Sequence, residues 1–384
     1  MRAAALLGLA VLGLHAPHAR AGVGATPAGP RAGGARTGDE AAEIHARARL
    51  SEDLASLQEF RPGFAFWRHV FMIPDGEVLF GSAQDGRLLA RFPVRGDWLR
   101  GARWEDVALA GVLDGSSLDR NVAHRRDQVA KLLEPAVGPV VHNPTRGNFL
   151  LSNVPRYGGF LEEWATIYER FGVPAELGLA QAVVEAGLSG TVRSRANALG
   201  LCQFLKKNWD RLDRLTPLVI EVENQTTQAA YCAAYLTVLA TKYGSFIPAL
   251  SEHHAGGANV GKVLINGARL GAGDVRQRYF LGSAFARDLR AISTRQFREV
   301  VGTYGIRSFL YSEMVFGNTA TIEALRASVP QEQIFAMRTS RALTLQEITR
   351  TTGLSEREVK RFNPALVRQV PKGASLYLPS YEER

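Results

Sequence analysis

The sequence predicts a mainly α protein, with a small β-containing segment ahead of the helical core and a separate β-α-α-β unit behind it. Three observations carry that expectation. Beyond Pro155, apolar residues recur at helical spacing for about 150 residues. Upstream, short apolar runs alternate with the turn sequences Pro74-Asp75-Gly76 and Asp85-Gly86. After Phe335 the order is strand-like, helical, helical, strand-like.

The chain has 384 residues, with 46 Lys plus Arg against 37 Asp plus Glu and only 2 Cys. That length allows two or three domains. Two cysteines exclude a disulfide-dense scaffold and a four-thiolate zinc site. Residues 1–21 read as a secretory signal: Arg2, an apolar stretch from Ala3 to Leu14, then Ala19-Arg20-Ala21 as a small-residue cleavage pattern. Its loss takes away Arg2 and Arg20 and no acid, so the net charge falls from +9 to +7. No cysteine near the cut offers a lipid attachment point. The expectation is an exported protein of the periplasm or cell envelope, with no integral membrane segment once the signal is gone. A mild positive charge there suits an anionic partner such as a cell-wall polymer or a membrane surface, and export argues against nucleic acid.

Residues 22–40, rich in Gly, Ala, Pro and Thr, read as a flexible linker. The segment 41–155 opens with Leu50, Leu54 and Leu57 at helical spacing, then changes period to the runs His69–Met72, Glu77–Phe80 and Arg87–Val94, a small β-meander. Asp119–Leu133 reads as an amphipathic helix stopped by Pro135. In 156–305, Leu161–Phe171 forms a helix, and Gly172-Val173-Pro174 introduces the next, with Pro in its first turn. That helix, Pro174 to Glu185, is apolar along Leu177, Leu179, Ala180, Ala182, Val183 and Val184, so it belongs in a core. Further helical patterns cover Thr226–Tyr243, Ala258–Leu264 and Gln277–Ile292. Residues 306–334 read as a connector, and 335–380 as the β-α-α-β unit.

Glu185 is the first candidate for chemistry. It ends an apolar helix and is followed by Gly187, a stop signal. A carboxyl group there has its anion disfavoured by the helix dipole and by desolvation, so its pKa is expected to rise, as a general acid requires. The alternative is a carboxylate at a frayed helix end, facing water.

From Glu185 to Phe204 the sequence reads EAGLSGTVRSRANALGLCQF. It resembles the signature of the lysozyme-like lytic transglycosylases of bacterial cell walls: Glu-Ser, a loop with a Ser, then Gly/Asn-Ala-x-Gly-Leu-Met-Gln. Glu185, Ser194, Asn197-Ala198, Gly200-Leu201 and Gln203 occupy its positions without a gap. Ser251–Lys262, SEHHAGGANVGK, resembles the family's Ala-Tyr-Asn-x-Gly-x-Gly-x-Val segment, with Gly256 and Val260 in register. Tyr279–Leu289 resembles its closing helix, and the likeness extends over residues 156–295.

The resemblance implies a lysozyme-like fold with Glu185 as sole acid and base. Glu185 would protonate the oxygen between N-acetylmuramic acid and N-acetylglucosamine, then accept the proton of the muramic C6 hydroxyl attacking C1, leaving a 1,6-anhydro product. It also implies that Ser194, Asn197, Gly200, Gln203, His253, His254 and Tyr279 line the site, with Tyr279 as a donor to Glu185. The implied partner is a peptidoglycan strand, with no cofactor and no metal. Three departures stand: Ala186 for the family's Ser, Cys202 for Met or an aromatic residue, and His253-His254 for Tyr-Asn. His253 either replaces that Tyr as a donor or marks a weakened enzyme. A catalytically degenerate peptidoglycan-binding protein and a hydrolytic muramidase are therefore the alternatives. Should Glu252, Asp210 or Asp213 face Glu185, the muramidase is favoured. Cys202 and Cys232 form either a disulfide or two buried thiols.

Residues 335–380 resemble a LysM module, through Leu345, Ile348, Gly353, Val359, Asn363, Pro371, Gly373, Leu376 and Pro379, which implies binding to N-acetylglucosamine chains. The family's Gly-Asp-Thr-Leu opening is replaced by Ser340–Thr344. Few core contacts are expected between this unit and the rest.

Overall fold

The first long helix, α1 (Gly38–Phe60), begins inside the segment expected to be linker. Its Leu50 and Leu57 enter the main core. The structure, a computed structural model, describes residues 38–216, 219–302 and 306–379, so the expected signal and most of the expected linker lie outside the described residues.

The run 69–72, expected as a strand, is helical: α2 spans Trp67–Met72. Four residues cannot separate the two periods, and adjacent Val70 and Phe71 are both buried, as a helix packed on two sides allows and a one-faced strand does not. The other two runs are strands, β1 (Glu77–Ser82) and β2 (Leu88–Pro93). With β3 (Arg103–Trp104) and β4 (Val140–Pro144), they make an antiparallel sheet in the order β3-β2-β1-β4. Helix α3 (Val122–Val137) precedes β4 and holds Pro135 inside its last turn, where the sequence reading ended the helix earlier. Pro135 removes only the bond to the carbonyl of Lys131, an exposed residue, so water can meet that group. Val78, Phe80, Phe92, Trp98, Val129 and Leu133 close a second core between the sheet and α3.

The larger body is helical. Helix α4 (Leu161–Arg170) packs on α5 (Ala175–Ala186), which is buried along its length except at Glu176 and Glu185. The body continues with α6 (Lys206–Leu215), α7 (Gln225–Tyr243), α8 (Phe246–Ala255), α9 (Gly257–Arg269), α10 (Val275–Ile292), α11 (Ile306–Gly317) and α12 (Thr319–Ser328), of which α7, α11 and α12 pack directly on α5. The segment expected as a connector is thus two helices of the main core, through Tyr311, Val315, Phe316, Ile322 and Leu325. Buried Asp53 of α1 accepts from Ser245 Oγ, the Phe246 amide and Arg276 Nε, each at 2.6 Å. One carboxylate therefore pins the start of α8 and of α10 to the first helix. No helix among the described residues is long and apolar enough to cross a membrane.

The C-terminal unit has the expected order: β5 (Phe335–Arg338), α13 (Leu345–Thr352), α14 (Glu356–Phe362) and β6 (Ser375–Leu378), with β5 and β6 antiparallel. Both its helices carry complete capping boxes, Thr344 with Glu347 and Ser355 with Glu358. It has a small core of its own, yet Phe362 and Tyr377 belong to the main core. Phe362 stacks on Phe160 with centroids 4.7 Å apart. Asn224 Nδ2 donates to the Phe362 carbonyl at 2.8 Å, and the hydroxyls of Thr227 and Tyr377 meet at 2.6 Å. Arg361 makes two hydrogen bonds to Glu332 and lies over the Phe160 ring. The expectation of few crossing contacts is corrected: the unit is welded to the helical body at Glu221, Asn224 and Thr227, the first turn of α7 and the loop before it.

Candidate functional site

Helix α5 delivers Glu185 to the site because the rest of its second half, Leu179 to Val184 and Ala186, is buried, which leaves its last acid at the edge of the core. At its end Gly187 takes φ +52°, and the amides of Gly187 and Leu188 return to the carbonyls of Val183 and Ala182. A Cβ at Gly187 would overlap the carbonyl of Phe149, so the turn needs glycine both for conformation and for space. Leu188 follows with φ +69°, Asn197 with +58° and Gln203 with +47°, all the non-glycine residues of positive φ found among the described residues. Strain of that kind persists where the surroundings over-determine it, and here it is confined to the loop after Glu185.

That loop is fastened at four places. Ser194 Oγ accepts from the amides of Ala196 and Ala198 at 3.2 and 3.0 Å. Gln203 Nε2 donates to the carbonyls of Val192 and Gly200. The fully buried Gln228 of α7 takes the Leu201 amide on Oε1 at 2.9 Å and gives Nε2 to the Gly190 carbonyl at 2.8 Å. Gly200, at φ +80°, lets the chain pass against that carboxamide, where any Cβ would overlap it. The fourth fastening is a disulfide, Cys202 to Cys232 of α7, which decides the choice left open by the sequence. Ser194, Gly200 and Gln203 therefore shape the loop with their polar atoms or their lack of a side chain, while Asn197 stands exposed at its turn.

Glu185 itself meets two ring side chains, with a third stacked behind them. The Tyr311 hydroxyl donates to Oε1 at 2.5 Å, and His253 Nε2 lies 3.5 Å from the same oxygen. Gln181, one turn back on α5, donates to the Tyr311 oxygen at 3.4 Å, which turns the hydroxyl proton toward Glu185. His254 lies flat on the Tyr311 ring, with centroids 4.5 Å apart and planes 8° off parallel. His253 is backed by Phe204 at 5.9 Å and Tyr235 at 5.8 Å. The two imidazoles, adjacent in sequence, thus reach one tyrosine ring from the last turn of α8, where the dipole favours cations.

The expected rise in the Glu185 pKa is corrected. Burial pushes it up, but the hydrogen bond and charge of His253, then Tyr311, then the charge of His254 outweigh burial and hold it below the ordinary carboxylate value. Burial, and the adjacent Glu185 charge, push the Tyr311 phenol well above its ordinary value. The hydroxyl therefore stays a donor.

Glu185 and His253 lie together, with His254 stacked on Tyr311. Tyr279 is elsewhere in the pattern of contacts: buried, with its ring edge-on to Phe280. The hydroxyl that donates to Glu185 belongs to Tyr311, in the segment expected to be a connector. Tyr311, Gln181 and Gln228 escaped the sequence reading. A clue was present in the apolar runs Phe309-Leu310-Tyr311 and Met314-Val315-Phe316, which mark a buried helix.

Of the other acids, Glu252 takes Lys242 Nζ at 2.5 Å and the Tyr243 hydroxyl, and Asp210 takes Lys206 Nζ at 2.7 Å. Among the described residues, no group of three or more His, Cys, Asp or Glu side chains could hold a metal ion. The chain matches no protein-family model, and no curated protein is significantly similar to it.

Proposed function

We propose that the protein is a peptidoglycan lytic transglycosylase, cleaving the β-1,4 bond between N-acetylmuramic acid and N-acetylglucosamine with formation of 1,6-anhydro-N-acetylmuramic acid. The observation that carries this reading is the Glu185 carboxylate held by directed donors at the end of a buried helix, while Glu252 and Asp210, two of the three acids that could have faced it, are each bound to a lysine. A hydrolase with an external water or a covalent intermediate uses a second carboxylate about 5–10 Å across the cleft. A transglycosylase uses one, because the substrate's own C6 hydroxyl attacks. This arrangement favours the transglycosylase over the muramidase.

It also favours an active enzyme over a binding-only relic. Ala186, which departs from the family's Ser, is fully buried, so a hydroxyl there would not face a ligand. The loop after Glu185 keeps its strained conformation and its fastenings, a device a mere binding surface does not need. The disulfide suits an oxidising compartment, in keeping with an exported protein of the periplasm or cell envelope. The C-terminal unit, similar to LysM, would hold a glycan chain while Glu185 acts on it.

The test is digestion of isolated peptidoglycan by the wild type and by Glu185→Gln, with products read by mass spectrometry. Anhydro-muramic ends from the wild type, and a rate lower by roughly 10² to 10⁴ in the variant, are expected from loss of the transferable proton. Reducing ends would move the protein to the muramidases. Retention on peptidoglycan with no product would make it a binding protein.

A further inference from the structure

We propose that His253 stores the proton that Glu185 delivers, so the site works as a glutamate–histidine relay and not as a lone carboxylic acid; this rests on the transglycosylase reading above. Every directed contact on Glu185 supports the anion. Tyr311 and His253 both converge on Oε1, and Gln181 turns the Tyr311 proton the same way. A carboxylate so held is a base, yet the leaving glycosidic oxygen needs a proton. Tyr311 cannot supply it, since its phenol is pushed well above the ordinary range.

That leaves the imidazoles. The groups facing His253 come from four sides: Glu185 on α5, Tyr311 on α11, Tyr235 on α7, and Phe204 on the loop. On its own helix, Glu252 is held by Lys242 and Tyr243, and His254 lies over Tyr311. Glu185 is therefore the anion His253 touches. The His253 side chain is 6% exposed and that of Glu185 13%, so a proton on His253 is screened from water and reaches substrate through Glu185. His253 is in this sense a positioning residue for the proton.

The step balances without a co-reactant. The proton on His253 Nε2 moves to the Glu185 carboxylate, and Glu185 passes it to the glycosidic oxygen as the bond from C1 to that oxygen breaks. The C6 hydroxyl forms its bond to C1 and gives its proton to Glu185, which returns it to His253. One proton leaves with the N-acetylglucosamine hydroxyl, and one is recovered from C6.

The experiment uses the full chain, with ¹³C-glutamate labelling and Glu185→Gln to assign the carboxyl resonance, together with rates on peptidoglycan across pH. In the wild type, Glu185 should report an anion at about pH 6, and kcat/KM should fall as pH rises and the stored proton is lost, at a pH above the Glu185 carboxyl titration. In His253→Gln the carboxyl remains buried but loses its imidazole partner, so its titration should move up by about one pH unit or more, and the falling limb should leave its wild-type position and coincide with the carboxyl titration. An unmoved carboxyl titration together with an unmoved limb would overturn the relay. So would a wild-type Glu185 found protonated at about pH 6, which decides the matter even if the variant does not fold. Wild-type products without anhydro ends would refute the transglycosylase reading instead, while the carboxyl titration would still report where the proton resides.

Discussion

Removing the C-terminal unit is expected to destabilise the helical body. Truncation after Gln333 takes away Phe362, 2% exposed against Phe160, and the hydroxyl of Tyr377 that meets Thr227. It also leaves the buried Asn224 amide without the Phe362 carbonyl, and Glu221 without the Ser375 amide it accepts at 2.5 Å. Burial of one Phe is worth about 1.5–3 kcal/mol, each neutral hydrogen bond about 1 kcal/mol, and the bond to a carboxylate about 1.5–3 kcal/mol. The loss comes to roughly 5–8 kcal/mol, comparable with the whole stability of an ordinary domain. At about 2–4 °C per kcal/mol, melting should fall by on the order of ten degrees or more. Calorimetry of the intact and truncated proteins measures this, with Phe362→Ala as a full-length variant expected to lose about 3–5 kcal/mol. A truncated protein that melts cooperatively within about two degrees of the intact one would refute the reasoning, and would restore the unit to a tethered appendage.

Two further outcomes follow from the site. Tyr311→Phe removes a donor to a buried anion, worth about 1.5–3 kcal/mol, so the Glu185 titration should rise by about one to two pH units, read by carboxyl NMR. Because the folded-state pKa of Glu185 is depressed below its ordinary 4.5, its contribution to stability is present above pH 4.5 and is lost as pH falls through the lowered value. The variant should therefore be weaker than the wild type in urea at neutral pH, and the gap should close in acid; equal urea midpoints at neutral pH would refute this. Reducing the disulfide between Cys202 and Cys232, 30 residues apart, should remove about 3–4 kcal/mol and lower activity more steeply than helicity. Urea midpoints and circular dichroism with and without reductant check it, and full activity after reduction would show that the loop holds its shape without the bond.

The helices were legible wherever the chain states its burial in a local period. The all-apolar α5, the stop at Gly187 and the two capped helices of the C-terminal unit need no distant partner to be read. So was Glu185, because a lone acid at the end of such a helix is conspicuous in one dimension. The four-residue run at 69–72 was not, since its length fits either period and packing chose the helix. Pro135 misled for a related reason: a single missing hydrogen bond at an exposed carbonyl is too weak to end a helix that buries Val129 and Leu133.

By itself, then, the sequence determined a mainly α body, a small sheet before it, a β-α-α-β unit after it, and the carboxylate that ends the most apolar helix. Tertiary structure alone decided what that acid meets. Tyr311 is 126 positions from Glu185, and Thr227 is 150 positions from Tyr377, so neither contact leaves a periodic trace in the chain. The same holds for the direction of the Glu185 pKa. A helix end and apolar neighbours raise it, and only the fold brings two imidazoles and a phenol close enough for their hydrogen bonds and charge to reverse that sign.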